Sequence, residues 1–189
     1  NINKNDEEIS RMFSLNYMRD MQRRDQIMKD ITFTIPCYNS QDYMERCINS
    51  LLVAGEKAEI IIVDDGSTDQ TGAIADRYAQ QYPKIIRVVH QENGGHGAGV
   101  NAGLALASGK YFKVVDSDDW LDRRELKKLL GKIGQWNRAG RSVDLIICNY
   151  IYDHLYEKRA KRMGYQNVFC ENKICGWKDM KHFKPSQYL

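Results

Sequence analysis

The sequence predicts an α/β fold in which a mostly parallel central sheet is flanked by helices. Short apolar runs rich in β-branched residues alternate with stretches of helical character from residue 31 onward. Such alternation is typical of βαβ units, whose consecutive strands run parallel. Polar motifs follow three of the apolar runs, and parallel sheets bind ligands beyond the carboxyl ends of their strands. The chain has 189 residues, enough for one domain with a sizeable core.

Five apolar runs predict the strands, and turn-forming or charged residues bound each of them. The predicted strands are residues 31–35, 59–63, 85–89, 111–115 and 143–148. Four stretches between and after these runs predict helices, which end near residues 54, 81, 107 and 138. Asp42 is expected to cap the first helix, and Thr68 or Asp69 the second.

Residues 1–29 differ in composition from the rest of the chain. They are charged and Met-rich, and their apolar positions have the spacing of an amphipathic helix. We expect a helical leader that docks on the domain or mediates homo-oligomerisation. Binding to a membrane surface is an alternative because of Arg19, Arg23 and Arg24, although Asp20 and Asp25 dilute that basic face.

Charge and hydropathy limit the partners and the location. The net charge of +3 is too small to predict binding to nucleic acid. No apolar run approaches the roughly 18 residues that span a bilayer, and the polar N-terminus lacks a signal-peptide pattern. We therefore expect a cytoplasmic protein, with peripheral attachment to the inner face of the membrane as an alternative.

The five cysteines predict a reducing compartment rather than a disulfide framework. Three lie in apolar contexts and are expected to be buried thiols: Cys37, Cys47 and Cys148. Cys170 and Cys175 lie near His182, but a zinc site would need a better-spaced fourth ligand, so zinc is not favoured.

The acidic motif Asp116-Ser117-Asp118-Asp119 directly follows the apolar run 111–115. Three carboxylates in four residues repel one another, and burying them without a counter-charge is costly. A divalent cation such as Mg²⁺ or Mn²⁺ resolves this conflict, because it prefers oxygen ligands and shares them with substrate phosphates. The alternative is a solvated acidic turn that caps the following helix.

Two further polar motifs follow the first and second predicted strands. Asp64 and Asp65 end the second strand, where acidic residues commonly accept hydrogen bonds from ribose hydroxyls or a base edge. An Asx turn and helix capping explain the residues that follow better than they explain Asp65, so we favour a ligand role for Asp65. Tyr38, after Pro36, is placed either to stack on a nucleobase or to pack within its loop.

The glycine-rich loop 93–103 opens a helix with a G-x-G-x-x-x-G pattern. Helix N-termini bind phosphates, but the loop follows the third strand and lacks the downstream acidic residue of a dinucleotide fingerprint. No Gly-Lys-Ser/Thr follows, so it is not a P-loop either. We expect close backbone approach near a sugar or diphosphate. His96 either donates to a phosphate oxygen or is an exposed loop histidine.

Five motifs in this order and spacing resemble the family 2 glycosyltransferases of GT-A fold. They are Ile-Pro-Cys-Tyr-Asn, Ile-Val-Asp-Asp-Gly-Ser-Thr-Asp, Gln-Glu-Asn-Gly-Gly, Asn-Ala-Gly-Leu-Ala-Leu-Ala-Ser-Gly-Lys-Tyr and Val-Asp-Ser-Asp-Asp-Trp, within residues 31–122. The resemblance implies a Rossmann-like GT-A domain over residues 30–150. Residues 151–189 would then begin an acceptor-side region that is truncated here.

The resemblance also implies a function. An inverting enzyme would transfer a sugar from a nucleotide diphosphate, usually a UDP-sugar, to a glycan, lipid-linked or protein acceptor, as in polysaccharide biosynthesis. The implied nucleotide-sugar-binding residues are Pro36, Tyr38, Asn39, Asp65, Gly95, His96, Asp116, Ser117 and Asp118. Asp116 and Asp118 form the D-x-D motif, with Asp118 closest to a Mn²⁺ or Mg²⁺ cofactor and Asp119 an alternative ligand.

The sequence departs from the family pattern at two points. Many relatives carry Ala-Arg-Asn where this chain has Gly99-Val100-Asn101, so a basic residue near the donor is missing or supplied elsewhere. No general base is recognisable in residues 150–189. A nucleotide-sugar-binding module without turnover is therefore an alternative function. A sugar nucleotidylyltransferase is disfavoured, because the loop after the first strand is not glycine-rich and basic.

Overall fold

The computed structural model describes residues 29–153, 161–165 and 173–176. Contacts divide the chain into two compact units, Asn1–Gln135 and Trp136–Leu189, and each is considered by itself. The helical leader expected at residues 1–29 lies outside the described residues, apart from Lys29. Cys170 and His182 also lie outside them.

The first unit is built on a four-stranded parallel sheet with strand order β3-β2-β1-β4. Its strands are β1 (Ile31–Cys37), β2 (Ala58–Asp65), β3 (Ile86–Gln91) and β4 (Tyr111–Val114). Every residue of β1 and β2 is buried, because these central strands are covered by neighbours on both faces. The predicted α/β fold with a mostly parallel sheet is confirmed.

Helices follow each of the four strands. They are α1 (Met44–Leu51), α2 (Thr71–Gln81), α3 (His96–Leu106) and α4 (Arg123–Arg138), and a 3-10 helix, Leu52–Lys57, extends α1. The prediction that Asp42 caps α1 is wrong. Instead, the Ser40 carbonyl accepts the N–H groups of Tyr43 and Met44, so backbone satisfies the helix start. Asp69 does serve α2, since its Oδ1 accepts the Thr71 N–H at 2.9 Å.

The core lies between the sheet and its helices. Fully buried side chains from the strands and from α1 dominate it: Phe33, Ile35, Ile60, Ile62, Met44, Ile48 and Leu51. Each such side chain contributes roughly 1.5–3 kcal/mol when it leaves water. The strands are therefore held firmly, and the loops at their carboxyl ends start from fixed positions.

The fifth strand predicted at residues 143–148 is wrong. That stretch is irregular, and Leu145 and Ile147 are 68% and 43% exposed. An apolar run does not by itself specify a strand, and within the described residues this run has no pairing neighbour. In the second unit, β5 (Tyr150–Tyr152) instead pairs antiparallel with β6 (Lys161–Met163).

Two of the three cysteines that were predicted to be buried are buried in the structure. Cys37 and Cys47 are buried free thiols, as predicted, because they lie in β1 and α1. The prediction that Cys148 is buried is wrong, because the strand that would have carried it inward is absent and the side chain is exposed. No described helix has the length and apolar character needed to cross a membrane.

Candidate functional site

Three polar loops meet at the carboxyl edge of the sheet, after β1, β2 and β4. The Asn39 N–H donates to Ser67 Oγ at 3.0 Å, and Asn39 Oδ1 accepts the Thr68 N–H at 2.9 Å. Ser40 Oγ lies 2.9 Å from Ser117 Oγ, which ties the β1 loop to the acidic turn. The structure thus brings together the motifs that the sequence placed on separate strand ends.

Asn39 sits in a backbone conformation that suits this bridging role. Its φ of 50° is left-handed, a region where asparagine is several-fold enriched among non-glycine residues. On the facing loop, Gly66 has a φ of 72°, and a Cβ there would lie 2.8 Å from the Asn93 backbone nitrogen. The β2 turn and the glycine-rich loop therefore approach each other with no room for a side chain.

Asp65 anchors the glycine-rich loop. Its Oδ1 accepts the Gly94 N–H at 2.9 Å and Gln91 Nε2 at 2.6 Å, and its Oδ2 accepts the Gly95 N–H at 2.7 Å. The bond from Gly94 is the largest cause that lowers the pKa of Asp65, which is only 3% exposed. A carboxylate has about four accepting positions, so about one remains for a ligand.

This arrangement gives the loop amides a partner that the sequence analysis did not foresee. Two of the N–H groups expected near a sugar or diphosphate already bond to Asp65. The same residue that was predicted to bind the nucleoside thus also shapes the loop beside it. Gln91, the last residue of β3, begins the Gln-Glu-Asn-Gly-Gly motif, but its contact with Asp65 was missed because that contact forms only in the fold.

A second carboxylate of β2, Asp64, belongs to a different network. Its Oδ1 accepts the Ser67 N–H at 3.1 Å, and its Oδ2 lies 2.9 Å from His90 Nδ1. His90 Nε2 lies 3.0 Å from Asp76 Oδ1. The hydrogen bond to Asp64, followed by that to Asp76, raises the pKa of His90. His90 therefore holds Asp64 of the β2 turn in place, and the sequence analysis missed this histidine too.

His96 connects the glycine-rich loop to the acidic turn. Its Nε2 lies 2.9 Å from Asp116 Oδ1, and both side chains are more than half exposed. Because the partner is a carboxylate, this nitrogen carries the proton. His96 is the first residue of α3, so it stands at the helix N-terminus, and its bond to Asp116 turns it toward the acidic turn.

The acidic turn concentrates negative charge at the end of β4. Its backbone is closed by the Asp119 N–H, which donates to the Asp116 carbonyl at 2.9 Å. Partial burial, followed by the charges of Asp118 and Asp116, raises the pKa of Asp119. Burial, followed by the same three carboxylates, raises the pKa of the Cys47 thiol to about 12. The turn therefore faces α1 with an excess of negative charge.

The carboxylates of the acidic turn are oxygen ligands of the kind that a hard cation prefers, but an ion held there would need further ligands. Within residues 29–153, 161–165 and 173–176, no three His, Cys, Asp or Glu side chains are grouped to hold a metal ion by themselves. Mg²⁺ and Mn²⁺ are, however, commonly held by one or two carboxylates together with substrate phosphates. The half-exposed carboxylates of the turn fit that mode, and metal binding by Asp116, Asp118 or Asp119 stays a prediction.

The remaining predicted residues take different positions at this edge. Tyr38 is 52% exposed, so it is not a packed loop tyrosine and its ring is available for stacking. Pro36 is buried, and a Cβ at Gly99 of α3 would lie 3.0 Å from its Cβ. Pro36 therefore shapes the site by packing against α3 rather than by presenting an open face.

Comparisons with known proteins identify a family and several similar proteins. The model of the family "Glycosyl transferase family 2" matches residues 32–180. The glycosyltransferase GlyA of Streptococcus pneumoniae is 31% identical over 163 residues, which cover 81% of this chain and 23% of GlyA. The putative glycosyltransferase EpsH of Bacillus subtilis is 36% identical over 134 residues, which cover 70% of this chain and 36% of EpsH.

A solved structure supports the same conclusion for the fold. The S. aureus TarS fragment 1–349 in complex with UDP aligns with a TM-score of 0.51 and 34% identity, over 58% of this chain and 33% of that fragment. The chain belongs to glycosyl transferase family 2, and its α/β domain has the GT-A-like architecture of that neighbour. The chain spans 23% and 36% of the lengths of GlyA and EpsH.

Proposed function

We propose that this chain is the donor-binding portion of an inverting glycosyltransferase that uses a nucleotide-diphosphate sugar, most simply a UDP-sugar. One observation carries the proposal: direct hydrogen bonds connect the β1, β2 and β4 loops at one edge of the sheet. Independent solvated turns would not need to bond to one another. The UDP bound to the similar TarS fragment supports the choice of nucleotide.

The proposed roles follow the order of the loops. Tyr38, which is exposed after β1, stacks on the base, and base–aromatic stacking contributes about 1–3 kcal/mol. Asp65 receives a nucleoside N–H or O–H at its remaining accepting position. Asn39 and Ser117 hold the flanking loops in register through their bonds to Thr68 and Ser40.

The diphosphate is proposed to lie between the glycine-rich loop and the acidic turn. Gly95 brings backbone close to the ligand, and His96 is protonated on the nitrogen that faces Asp116. That imidazole therefore either keeps Asp116 oriented or transfers its hydrogen bond to a phosphate oxygen. Both roles place His96 at the boundary between the anionic donor and the anionic turn.

Asp118, with Asp116 and Asp119, is proposed to hold Mn²⁺ or Mg²⁺ together with the donor phosphates. When bound, such an ion neutralises negative charge that develops on the leaving diphosphate. The protein's own part is to hold three carboxylates in one short turn, where partial burial, followed by the charges of Asp118 and Asp116, raises the pKa of Asp119. A cation relieves the repulsion among these charges, so its binding should favour the fully ionised turn.

Inversion requires the acceptor hydroxyl to attack from the face opposite the diphosphate and to lose its proton to a base. The acceptor is proposed to be a glycan, a lipid-linked glycan or a protein, and the base remains unassigned. Homo-oligomerisation through residues 1–29 and location at the inner face of the membrane likewise stay predictions.

The test is calorimetric titration of UDP with and without Mn²⁺. We expect saturable UDP binding that Mn²⁺ strengthens, and we expect Asp118→Ala to remove the effect of the metal. Asp42→Ala is the matched control, because it deletes an exposed carboxylate from the β1–α1 loop that caps no helix. Absence of metal-dependent binding, or equal affinity in Asp118→Ala and the unmodified chain, would contradict the proposal.

A further inference from the structure

An open cleft of about 350 Å³ lies beside the acidic turn, between α1 and the start of α4. Seven residues line it: Arg46, Ser50, Trp120, Leu121, Asp122, Arg123 and Arg124. It begins at Trp120, the residue directly after Asp119. The proposed donor site and this cleft are thus neighbours along the chain, although the cleft shares no residue with the nucleotide-binding set.

Arginine dominates the charge of the cleft. The lining includes three arginines and one acidic residue, Asp122. Within the described part of the chain, none of the three arginines lies within ion-pairing distance of a carboxylate oxygen. Cationic side chains that outnumber the carboxylates of a concave surface attract an anion, and the arginine fork matches phosphate oxygens in pairs.

Asp122 offsets only part of this charge, because it is one carboxylate among three arginines and also serves the helix. Its Oδ1 accepts the N–H groups of Arg124 and Glu125 at 2.8 and 3.0 Å, which satisfies the N-terminus of α4. Those bonds lower the pKa of Asp122, with the bond from Glu125 the largest cause. The helix N-terminus is therefore already occupied, and the anion-binding capacity of the cleft rests on side chains.

Two contacts also hold parts of the cleft lining in place before a ligand binds. The Arg46 guanidinium carbon lies 3.2 Å from the centroid of the Trp120 ring, so the cation lies over the indole. The Leu121 N–H donates to Ser50 Oγ at 3.1 Å, which fixes the opposite wall to α1. A guanidinium that contacts a ring through its face keeps its N–H donors at its edge. A preorganised arginine loses less entropy when it binds.

We propose that this cleft binds a phosphate group of the acceptor, next to the donor site but separate from it. The assignment to an acceptor rests on the proposed function, because transfer requires an acceptor beside the donor diphosphate. The shared chemistry is a phosphoryl oxyanion. It would come either from phosphodiester links within a glycan polymer or from the diphosphate of a lipid-linked acceptor.

The experiment follows the indole N–H signal of Trp120 by NMR while inorganic phosphate is added at constant ionic strength. Trp120→Phe assigns the signal. We expect a saturable shift whose dissociation constant rises at least tenfold in Arg123→Gln/Arg124→Gln and changes less than twofold in Lys127→Gln/Lys128→Gln. The two double variants remove equal charge from the same helix. All four side chains are exposed, and unchanged far-UV circular dichroism will confirm folding.

Further titrations separate the sources of the phosphate and the two proposals. Tighter binding of glycerophosphoglycerol than of inorganic diphosphate identifies a phosphodiester polymer, and the reverse order identifies a lipid diphosphate. Binding in the presence of saturating UDP supports a separate subsite. A non-saturating shift, equal weakening in both double variants, or displacement by UDP overturns it. Phosphate binding in a chain that binds no UDP supports the anion site and contradicts the proposed function.

Discussion

Replacing Asp65 by asparagine isolates the link between β2 and the glycine-rich loop. Asp65 Oδ2 accepts the Gly95 N–H, while Oδ1 accepts Gly94 and Gln91. An asparagine oxygen can replace only one of these two acceptors, and its NH₂ then faces an N–H donor. A hydrogen bond to a charged group contributes about 1.5–3 kcal/mol, and an unsatisfied buried donor costs about 1–3 kcal/mol. We therefore expect Asp65→Asn to lower the free energy of unfolding by about 2–3 kcal/mol.

Urea unfolding followed by far-UV circular dichroism measures this loss, with an unchanged m-value as the sign that only stability has changed. Glu92→Gln is the matched control, because it removes the same charge from an exposed position in the same segment and should cost less than about 0.5 kcal/mol. If Asp65→Asn were as stable as this control, the glycine-rich loop would not depend on the carboxylate and the argument would fail.

The difference in stability between the unmodified chain and Asp65→Asn should depend on pH, and the direction of that dependence can be stated. Hydrogen bonding, first from Gly94, holds the pKa of Asp65 below its unfolded value, which is about 3.9. The stabilisation is therefore fully present above that value and is lost as the pH falls through the lower, folded pKa. The difference between the unmodified chain and Asp65→Asn should be constant from pH 5 to 7 and shrink in stronger acid. A difference that grew on acidification would contradict the assignment.

Three further predictions concern the fold and the donor site. Gly103→Ala should lower the free energy of unfolding by about 1–3 kcal/mol, because its Cβ would lie 2.8 Å from Thr34 Cβ. Gly131→Ala has open space around the new Cβ and should raise that free energy by up to about 1 kcal/mol, so the urea midpoints of the two variants should move in opposite directions. The pKa of His90 is raised, so the stabilisation that protonated His90 gives the folded state should be full below about pH 6.5 and fade as the pH rises through the folded pKa. His90→Gln should remove this trend from melting temperatures measured between pH 5.5 and 9. Tyr38→Ala should weaken UDP binding about tenfold in calorimetry without changing the melting temperature, because the ring is exposed and stacking contributes about 1–3 kcal/mol.

The strands and helices that could be predicted from the sequence are those whose pattern and packing agree. β1 and β2 read as apolar, β-branched runs, and both are buried along their whole length. The run at 143–148 has the same composition, yet it remains irregular. Strand formation depends on a neighbour with free backbone groups, which a local pattern does not contain.

Part of the candidate site could be predicted from the sequence, and part of it could not. The motifs around Asp65 and Asp116 were visible because several polar residues follow an apolar run. The contacts of Gln91, His90 and Arg46 were missed because each residue gains its partner only through the fold: Gln91 reaches Asp65, and the Arg46 guanidinium covers Trp120. Contacts between residues 26 or more positions apart cannot be predicted from spacing within a motif.

Paramagnetic broadening of amide NMR signals by Mn²⁺ tests the location of the donor site most directly. With UDP present, substoichiometric Mn²⁺ should first broaden the amides of residues 116–119, then those of Gly95 and His96, and should leave α2 sharp. Asp118→Ala should abolish this pattern while Asp42→Ala retains it. Broadening centred away from the carboxyl edge of the sheet, or the same pattern in Asp118→Ala, would contradict the proposal that a nucleotide diphosphate and its metal bind there.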